Sequence, residues 1–421
     1  MQELIVFIFI LLSLFSFGIF SIINPLRVVL FLLFLRPSLD YFHSVSLYNI
    51  SGIVINVNSI FLFFSILLSL VVIIKKFSSS FFNNRLHLIF IFFLLLITFY
   101  SSFFNQIGVS ALPYILRWFG IYSFFIFGYH FGYHYQYADH IKKTIRIILF
   151  SSIIPILFSI IQIISGQFSF YTEMHDFERL QGTFVHPGAY GCFIAMLLSF
   201  SLPKLIFKDK NNILWVLING VLFIFLLLSF FKTAWFGIIF ALIITIVSIR
   251  RGKIPIPIFL FSISAIFLFE SIITQRLGDT QSLYWRFGIW NYLLSYINNI
   301  SDLLFGFGLG ATKYFISFII GTNVTTAHST YIELLIDYGL IATLLFLFIH
   351  LISIKNAFLI IRNKNVIIKQ FGVSLLLISF LFLSIYLSQT LLKPLFLIYL
   401  MYIFGISAGI LDFLKTKKNN L

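Results

Sequence analysis

The sequence predicts an all-α polytopic membrane protein with about 12–13 transmembrane helices. The chain is 60% hydrophobic and only 10% charged, with a mean hydropathy of +1.06. Charged residues make up about a quarter of a typical soluble domain. Runs of about 20 mainly apolar residues, the length needed to cross a bilayer, recur along the chain. The single Cys192 excludes an internal disulfide framework and a CxxC metal site.

The candidate spans follow one another with short connections, except at two longer loops. They occupy residues 3–22, 25–36, 50–74, 87–104, 110–133, 145–165, 187–206, 212–231, 233–249, 254–272, 329–353, 367–388 and 392–413. No basic segment precedes residues 4–22, and no small-residue cleavage site follows them. We therefore expect a first spanning helix there rather than a signal peptide.

The two longer loops divide the chain into five parts. These are N-terminal transmembrane helices (1–165), a first outer loop (166–186), central transmembrane helices (187–272), a large outer loop with amphipathic helices (273–328), and C-terminal transmembrane helices with a basic cytoplasmic tail (329–421). In the large loop, apolar residues from Trp285 to Ile300 recur at helical spacing, which predicts a helix on the membrane surface with Arg286 in its first turn. A glycine-rich turn at 306–310 and a second short helix near 311–320 follow.

Most of the positive charge is explained by membrane topology. The net charge is +15, and all but eight of the 28 Lys and Arg residues fall in loops that one orientation places in the cytoplasm. Nucleic acid is therefore not an expected partner. The exceptions are Arg36, Arg117, Arg179, Lys232, Arg276, Arg286, Lys313 and Lys393.

Three of these cations are candidates for binding an anion. Arg179, Lys232 and Arg286 fall at or near the outer membrane boundary. Arg binds phosphate through two parallel hydrogen bonds and Lys binds it as a point charge, so the three together would hold a pyrophosphate. The alternative for each is a snorkelling or salt-bridged side chain, which we favour for Arg36 and Lys393.

Arg117 lies in the middle of the predicted span 110–133, where an ionisable residue is a functional candidate. The alternative is a buried ion pair with Glu270 or Asp337. Arg276, in the large loop, is a further candidate.

His328 stands at the start of a predicted span and is the candidate general base, because a neutral imidazole accepts protons near neutral pH. Glu333 follows five residues later, and Ser329 or Thr330 would cap the helix. A capping or interfacial histidine is the alternative.

The other histidines favour structural interpretations. His186-Pro187-Gly188 opens a span, and we favour a helix start there. His130 and His134 are four residues apart, but no third ligand is near them in the sequence and the acidic residues do not cluster. Neither a metal site nor a cofactor is therefore expected.

Several of these residues fall in ordered motifs. They are Arg179-x-x-Gly182-Thr183-Phe184-x-His186-Pro187, Ser229-Phe230-Phe231-Lys232, Arg286-x-x-x-Trp290, Gly306-x-Gly308-x-Gly310, Ala327-His328-Ser329-x-Tyr331-x-Glu333 and Asp337-x-Gly339. In order and spacing over residues 179–345, the set resembles the O-antigen ligase and O-antigen polymerase (Wzy-type) superfamily. The family usually has Arg at the position of Lys232 and often Asn at that of Ser329.

The resemblance implies a metal-independent, GT-C-like glycosyltransferase of the bacterial inner membrane, acting at its periplasmic face. Its donor would be a glycan on undecaprenyl pyrophosphate, and its acceptor the hydroxyl group of a glycan lipid. The resemblance assigns the donor pyrophosphate to Arg179, Lys232 and Arg286, the acceptor proton to His328, and the orientation of His328 to Glu333. Further candidates are Arg117, His186, Arg276 and Tyr331. A chain-length regulator and a flippase are candidate partners.

The motifs do not separate two enzyme functions, and a transporter is a third candidate from another class. We favour a polymerase of O-antigen or capsule repeat units over a ligase that transfers the finished chain to lipid A-core or protein. The Phe- and Ile-rich composition, which is common among polymerases of AT-rich polysaccharide loci, decides that choice. A transporter or flippase would instead place charges along a midplane path, with broken helices in matched halves. Here the cations collect at one face.

Overall fold

The structure is a bundle of helices with one short β-hairpin. A computed structural model describes residues 24–42, 46–50, 53–76, 79–103, 112–134, 137–166, 179–207, 212–251, 281–318, 326–387, 389 and 394–419. Its helices are α1 (Pro25–Leu39), α2 (Val57–Lys76), α3 (Ser79–Phe82), α4 (Arg85–Phe103), α5 (Leu112–His134), α6 (Tyr137–Phe150), α7 (Ile153–Ser165), α8 (Pro187–Ile206), α9 (Asn212–Leu228), α10 (Lys232–Arg251), α11 (Gln281–Leu294), α12 (Ile300–Phe305), α13 (Ala311–Ser317), α14 (Thr330–Ile361), α15 (Val366–Ile385) and α16 (Pro394–Asn419). A 3-10 turn (Asp40–Phe42) follows α1, and strands β1 (Ser46–Ile50) and β2 (Ile53–Asn56) precede α2.

Seven helical stretches among the described residues are long and apolar enough to cross a membrane. They are Val57–Ile74, Ala138–Ser165, Pro187–Ile206, Lys232–Arg250, Thr330–Ile361, Val366–Ile385 and Pro394–Lys417. Two further apolar helices, Arg85–Phe99 and Ile213–Leu228, are shorter. The multi-pass α-helical class is therefore confirmed. The total of about 12–13 spans stays a prediction, and the spans predicted at 3–22 and 254–272 lie outside the described residues.

The span predicted at 50–74 begins too early, because its first residues belong to a hairpin. Ser46–Ile50 and Ile53–Asn56 pair as antiparallel strands. The second strand is rich in β-branched residues, which favour extended backbone. The helix begins only at Val57. An apolar run alone does not distinguish a strand from the first turns of a spanning helix.

The cytoplasmic loop predicted at 142–146 lies instead inside α6, so the span predicted at 145–165 starts too late. Three buried isoleucines alternate along α6 with three exposed cations. They are Ile141, Ile145 and Ile148, and Lys142, Lys143 and Arg146. Apolar residues at this spacing make an amphipathic helix, which a search for continuous apolar runs misses.

α5 and α16 pack with their backbones in direct contact. Gly128 and Gly132 of α5 lie four residues apart, as do Gly405 and Gly409 of α16. A Cβ atom on Gly128 would overlap the carbonyl oxygen of Tyr402 in α16. Small residues at this spacing allow membrane helices to approach closely, so the four glycines define the centre of this helix pair.

The variant Gly128→Leu is expected to destabilise the protein, because the new side chain would push α16 away. Overpacking a dense core costs about 1–3 kcal/mol, which would appear as a lower thermal unfolding midpoint of the purified protein in nanodiscs. Gly220→Leu in α9 is a matched control, since a Cβ atom there meets nothing within 4 Å. Equal destabilisation of both variants would contradict the close-packing interpretation.

Loops predicted to share one membrane face meet in the structure. At one end of the bundle, Asn84 donates a hydrogen bond to the Asp412 carboxylate at 2.6 Å, and Lys415 pairs with that carboxylate at 3.1 Å. At the opposite end, the Thr183 hydroxyl donates to the Pro37 carbonyl at 3.0 Å. We call this second end the outer end, following the distribution of Lys and Arg.

The large outer loop forms a small apolar core together with Ile336 of α14. It consists of Ile289, Leu293, Ala311, Phe315, Ile316, Ala327 and Ile336. The predicted surface helix is present as α11, but it ends at Leu294, and Ile300 begins the separate helix α12. Because α11 begins at Gln281, Arg286 lies in its second turn rather than its first. The predicted second short helix is α13.

Candidate functional site

The segments that carry Arg179 and Lys232 lie side by side at the outer end. The Leu180 N–H donates a hydrogen bond to the Leu228 carbonyl at 3.2 Å. Leu228 ends α9, and Lys232 begins α10 after a tight turn in which Phe230 has a φ of 47°. Two candidate cations far apart in the sequence therefore lie on adjacent backbone segments.

The Arg179 loop, residues 179–186, is held by hydrogen bonds from other parts of the chain. The Gln162 carboxamide oxygen in α7 accepts from the Gly182 N–H at 3.1 Å. The Asp40 carboxylate, just after α1, accepts from the Val185 N–H at 3.3 Å. These bonds fix the loop against two neighbouring helices and so position Arg179.

His186 caps the start of α8. Its Nδ1 accepts a hydrogen bond from the Gly188 N–H at 2.9 Å. Pro187 takes the first helical position, where a missing N–H costs little. The predicted helix start is therefore confirmed. Because Nδ1 is an acceptor, the neutral ring carries its proton on Nε2.

α11 brings Arg286 to the turn that holds His328. The Trp290 indole N–H donates to the Ala327 carbonyl at 2.8 Å. The Trp285 ring packs edge-on against His328, with 5.3 Å between ring centroids. Arg286 follows Trp285 directly and lies one helical turn before Trp290, on the same face of the helix. Both contacts therefore attach this part of α11 to the His328 turn.

His328 has an unusual backbone conformation immediately before α14. Its φ is 52°, in the left-handed region, which is uncommon for residues with a Cβ atom but enriched in His, Asn and Asp. The Ser329 hydroxyl accepts from the Ile332 N–H at 3.5 Å, so Ser329 rather than Thr330 is the N-cap. Half-buried Glu333 lies in the first helical turn, where the helix dipole stabilises a negative charge.

The start of α14 is anchored on the outer end of α15. The Thr330 N–H donates to the Tyr386 carbonyl at 2.8 Å, and its hydroxyl donates to the Gln389 carbonyl at 2.7 Å. The Tyr331 hydroxyl donates to the Leu383 carbonyl at 2.8 Å. The candidate Tyr331 thus joins two helices.

α10 contacts the same end of α15. Gly237 packs against the side chains of Leu381 and Ser384. Lys232 precedes Gly237 by five residues, which places its backbone about 7.5 Å farther toward the outer end. The backbone of Lys232 and the start of α14, with His328 and Glu333, therefore border one helix end.

Asp337 connects the glycine-rich turn to α14. Its carboxylate accepts from the Thr312 N–H at 2.7 Å and from the Gly310 N–H at 3.3 Å. Its backbone carbonyl accepts from the Gly308 N–H at 2.9 Å. Asp337 therefore caps α13 from another helix and fixes the large loop to the first turns of α14, close to the His328 turn.

Arg117 lies beside this cap, in the second turn of α5 rather than in mid-span. Its charge interacts electrostatically with the Asp337 carboxylate. The neighbouring Trp118 indole donates to the Tyr338 hydroxyl at 2.9 Å, which fixes α5 against α14. Of the two predicted partners, Asp337 is the one found near Arg117, and Glu270 lies outside the described residues.

The variant Asp337→Ala is expected to loosen the large loop. A hydrogen bond to a charged group contributes about 1.5–3 kcal/mol, and two are lost. The unfolding midpoint should fall, and Asp337→Asn, which retains one acceptor oxygen, should show a smaller decrease. Asp139→Ala, exposed on α6, is the control. An unchanged midpoint in Asp337→Ala would show that this cap does not stabilise the loop.

Arg36 is buried, whereas a snorkelling side chain would reach toward water. Its side chain is only 2% exposed, and within the described part of the chain its Nε and Nη1 have no hydrogen-bond partner. Its Cζ lies 5.6 Å from the Phe61 ring centroid, and Asp40 provides a compensating charge. A buried cation therefore lies close to the Arg179 loop. The only sequence signal for this buried cation is an acidic residue, Asp40, four positions after Arg36 at the end of a helix.

The other candidates contribute less to this region. Arg276 and Lys393 lie outside the described residues, and Lys313 is exposed on α13.

The rings of His130 and His134 are 4.7 Å apart. Among the residues that the structure covers, no group of three or more His, Cys, Asp or Glu could hold a metal ion.

The arrangement is suited to a polyanion. Helices α8, α10 and α14 all begin at the outer end, and each helix N-terminus carries about half a positive charge. Arg179, Lys232 and Arg286 add full charges on neighbouring segments, and His328 can accept a proton.

No protein-family model matches the chain and no curated protein matches it.

Proposed function

We propose that this protein is a metal-independent polysaccharide polymerase of the bacterial inner membrane. It transfers a glycan from undecaprenyl pyrophosphate to a hydroxyl group of an acceptor glycan lipid at the periplasmic face. One observation carries the proposal: the segments bearing Arg179 and Lys232, helix α11 with Arg286, and the start of α14 with His328 and Glu333 are gathered at one end of the bundle. The motif order over residues 179–345 supports the same reaction.

The role of the cations follows from the leaving group. As the bond between the sugar and the pyrophosphate breaks, negative charge develops on the leaving oxygen, and preorganised cations stabilise that charge in the transition state. Arg179 and Arg286 each offer paired donors, whereas Lys232 offers a point charge. The polyprenyl chain of the donor stays in the bilayer, so the pyrophosphate arrives at the depth of these helix ends.

His328 accepts the proton of the acceptor hydroxyl as the hydroxyl oxygen attacks the anomeric carbon of the donor sugar. The ring then carries a positive charge, which Glu333 in the first turn of α14 stabilises. The products are the lengthened glycan and undecaprenyl pyrophosphate. A flippase would supply donor units, and a chain-length regulator would act on the growing product.

Deletion of the gene tests this proposal through the surface glycan. A polymerase predicts that single repeat units remain attached to the lipid core in the deletion strain. Long chains left on the lipid carrier would instead indicate a ligase. Units trapped on the cytoplasmic leaflet would refute both enzyme functions and indicate a flippase.

The variant Arg286→Ala is expected to reduce transfer about 10²–10³-fold, the usual cost of removing one electrostatic stabiliser. Arg286→Lys keeps the charge but loses the paired donors, so its activity should be intermediate. Transfer by purified protein in nanodiscs measures both variants. Lys313→Ala is the matched control, because this side chain is exposed on α13 of the same loop. Wild-type rates in Arg286→Ala would remove this residue from the site.

A further inference from the structure

A groove lies between α4 and the large outer loop, bordered by Gly306 and Phe307 of the glycine-rich turn. Its volume is about 1230 Å³. One wall is apolar and comes from α4: Phe92, Leu95, Leu96 and Phe99. Leu95 is 62% exposed. Phe92 and Phe99 of this apolar helix are exposed as well, so the wall is accessible to a lipid chain.

The opposite wall is polar and aromatic. It includes Asn298, Asn299, Ser301 and Asp302 from the segment around α12, together with Tyr296. Tyr296 stacks on Phe315 with 4.0 Å between ring centroids, so the aromatic surface is fixed in place. Its hydrogen bond to Tyr292 raises the pKa of Tyr296 to about 12, so this hydroxyl is neutral at physiological pH.

The charges of this lining distinguish it from the cationic site. Neither Lys nor Arg occurs among the described residues that line the groove, and the one carboxylate among them is that of Asp302. A phosphate headgroup would find a carboxylate here and no cation to compensate its charge. Amide, hydroxyl and carboxylate groups beside aromatic rings instead suit a neutral ligand with many hydroxyl groups.

We propose that this groove binds a lipid with an uncharged saccharide headgroup. The acyl or prenyl chain lies along Phe92, Leu95 and Phe99, and the sugar contacts the polar wall near Asn298 and Asp302. The apolar wall and the polar wall meet in one groove at the membrane boundary. Only an amphipathic ligand would therefore contact both walls.

The groove is mechanically connected to the candidate site. Gly306 and Phe307 form part of its lining, and the Phe307 N–H donates to the Ile336 carbonyl of α14 at 2.8 Å. Ile336 follows Glu333 by three residues, about one helical turn. A ligand in the groove therefore contacts the turn that is bonded to α14 one helical turn from Glu333.

Cysteine labelling tests the binding without any turnover. The variant Ser301→Cys places a thiol in the groove, and Ile300→Cys places one on the neighbouring residue, which is 69% exposed and does not line it. Wild-type protein reports the background, since Cys192 is buried. Labelling by an impermeant maleimide is followed in nanodiscs of phosphatidylcholine alone, with added diglucosyl diacylglycerol, or with added phosphatidylglycerol.

At a glycolipid concentration about ten times its Kd, labelling of Ser301→Cys should slow about ten-fold. Phosphatidylglycerol should not slow it, and Ile300→Cys should label at the same rate in all three nanodiscs. Adding Leu95→Trp should fill the groove and abolish the protection, whereas Leu88→Trp, 51% exposed on the same helix outside the groove, should not.

Three results would overturn the proposal: no protection, equal protection by both headgroups, or protection of Ile300→Cys as well. Because no glycan is transferred in this assay, its outcome is independent of the surface-glycan test. Protection together with an unchanged deletion strain would retain the groove and reject the polymerase. Absence of protection, together with single repeat units in the deletion strain, would retain the polymerase and reject the groove.

Discussion

Replacing His328 by glycine is expected to leave a folded protein that no longer extends glycan chains. The φ of His328 is 52°, a value that glycine adopts without the steric cost of a Cβ atom. The substitution therefore removes the imidazole without straining the turn before α14. Loss of a general base lowers the rate about 10²–10⁴-fold. Transfer from purified lipid-linked repeat units in nanodiscs, measured with the unfolding midpoint, checks both parts of the result.

Two further variants distinguish the loss of the general base from the loss of the folded structure. Asn also tolerates the left-handed backbone but does not accept a proton at neutral pH, so His328→Asn should be stable and inactive. His134→Ala, exposed at the far end of α5, should keep wild-type activity. Full activity of His328→Gly would show that another group takes the proton.

The spanning helices could be predicted wherever an apolar run coincided with a helix. The span predicted at 187–206 matches α8 residue for residue. The failures have one physical origin, since apolar content alone does not report periodicity. Residues 50–56 read as the start of a helix although they carry strand residues, and amphipathic α6 was divided into a loop and a helix.

The residues of the candidate site were predictable, but the contacts that position them were not. Arg286 and His328 stand in motifs, whereas the hydrogen bond from Thr312 to Asp337 joins residues 25 apart. Such long-range bonds leave no periodic trace in a sequence. The sequence places Asp337 in a motif and offers it as an alternative partner of Arg117, but its role as the cap of α13 emerges only when two helix ends are brought together.

A second large effect is expected at Gly339, where α14 changes direction. Its φ of 77° and ψ of 177° fall in a region essentially restricted to glycine. The break separates residues 330–338, which carry Glu333 and Asp337, from the long remainder of the helix that spans the membrane. The first part can therefore follow the large outer loop while the second follows the bundle.

Gly306 of the glycine-rich turn meets Gly339 backbone to backbone. A Cβ atom on Gly306 would lie 2.6 Å from the Gly339 nitrogen, and a Cβ atom on Gly339 would overlap the Leu304 carbonyl oxygen. Neither residue can therefore carry a side chain unless the other segment moves. This contact lies between the groove and the Asp337 cap, so displacing it would disturb both.

The variant Gly339→Ala is accordingly expected to abolish transfer while the spanning helices remain inserted. The backbone conformation costs about 1–3 kcal/mol for a residue with a Cβ atom, and overlap with Leu304 adds about 1–3 kcal/mol. α14 can relieve this only by straightening, which withdraws Asp337 from α13, or by releasing the large loop. Faster proteolysis within residues 295–310 would report the release.

Gly288→Ala is the matched control for this variant, because a Cβ atom at that position of α11 meets nothing within 4 Å. Alanine also favours helix over glycine by about 1 kcal/mol, so the control should be as stable as the wild type or slightly more so. Full activity and unchanged proteolysis in Gly339→Ala would mean that the loop keeps its place without the contact between Gly306 and Gly339. In that event the hydrogen bonds of Asp337, together with the contacts of Trp285 and Trp290, would hold the large loop on the start of α14, and Asp337→Ala would become the variant that abolishes transfer.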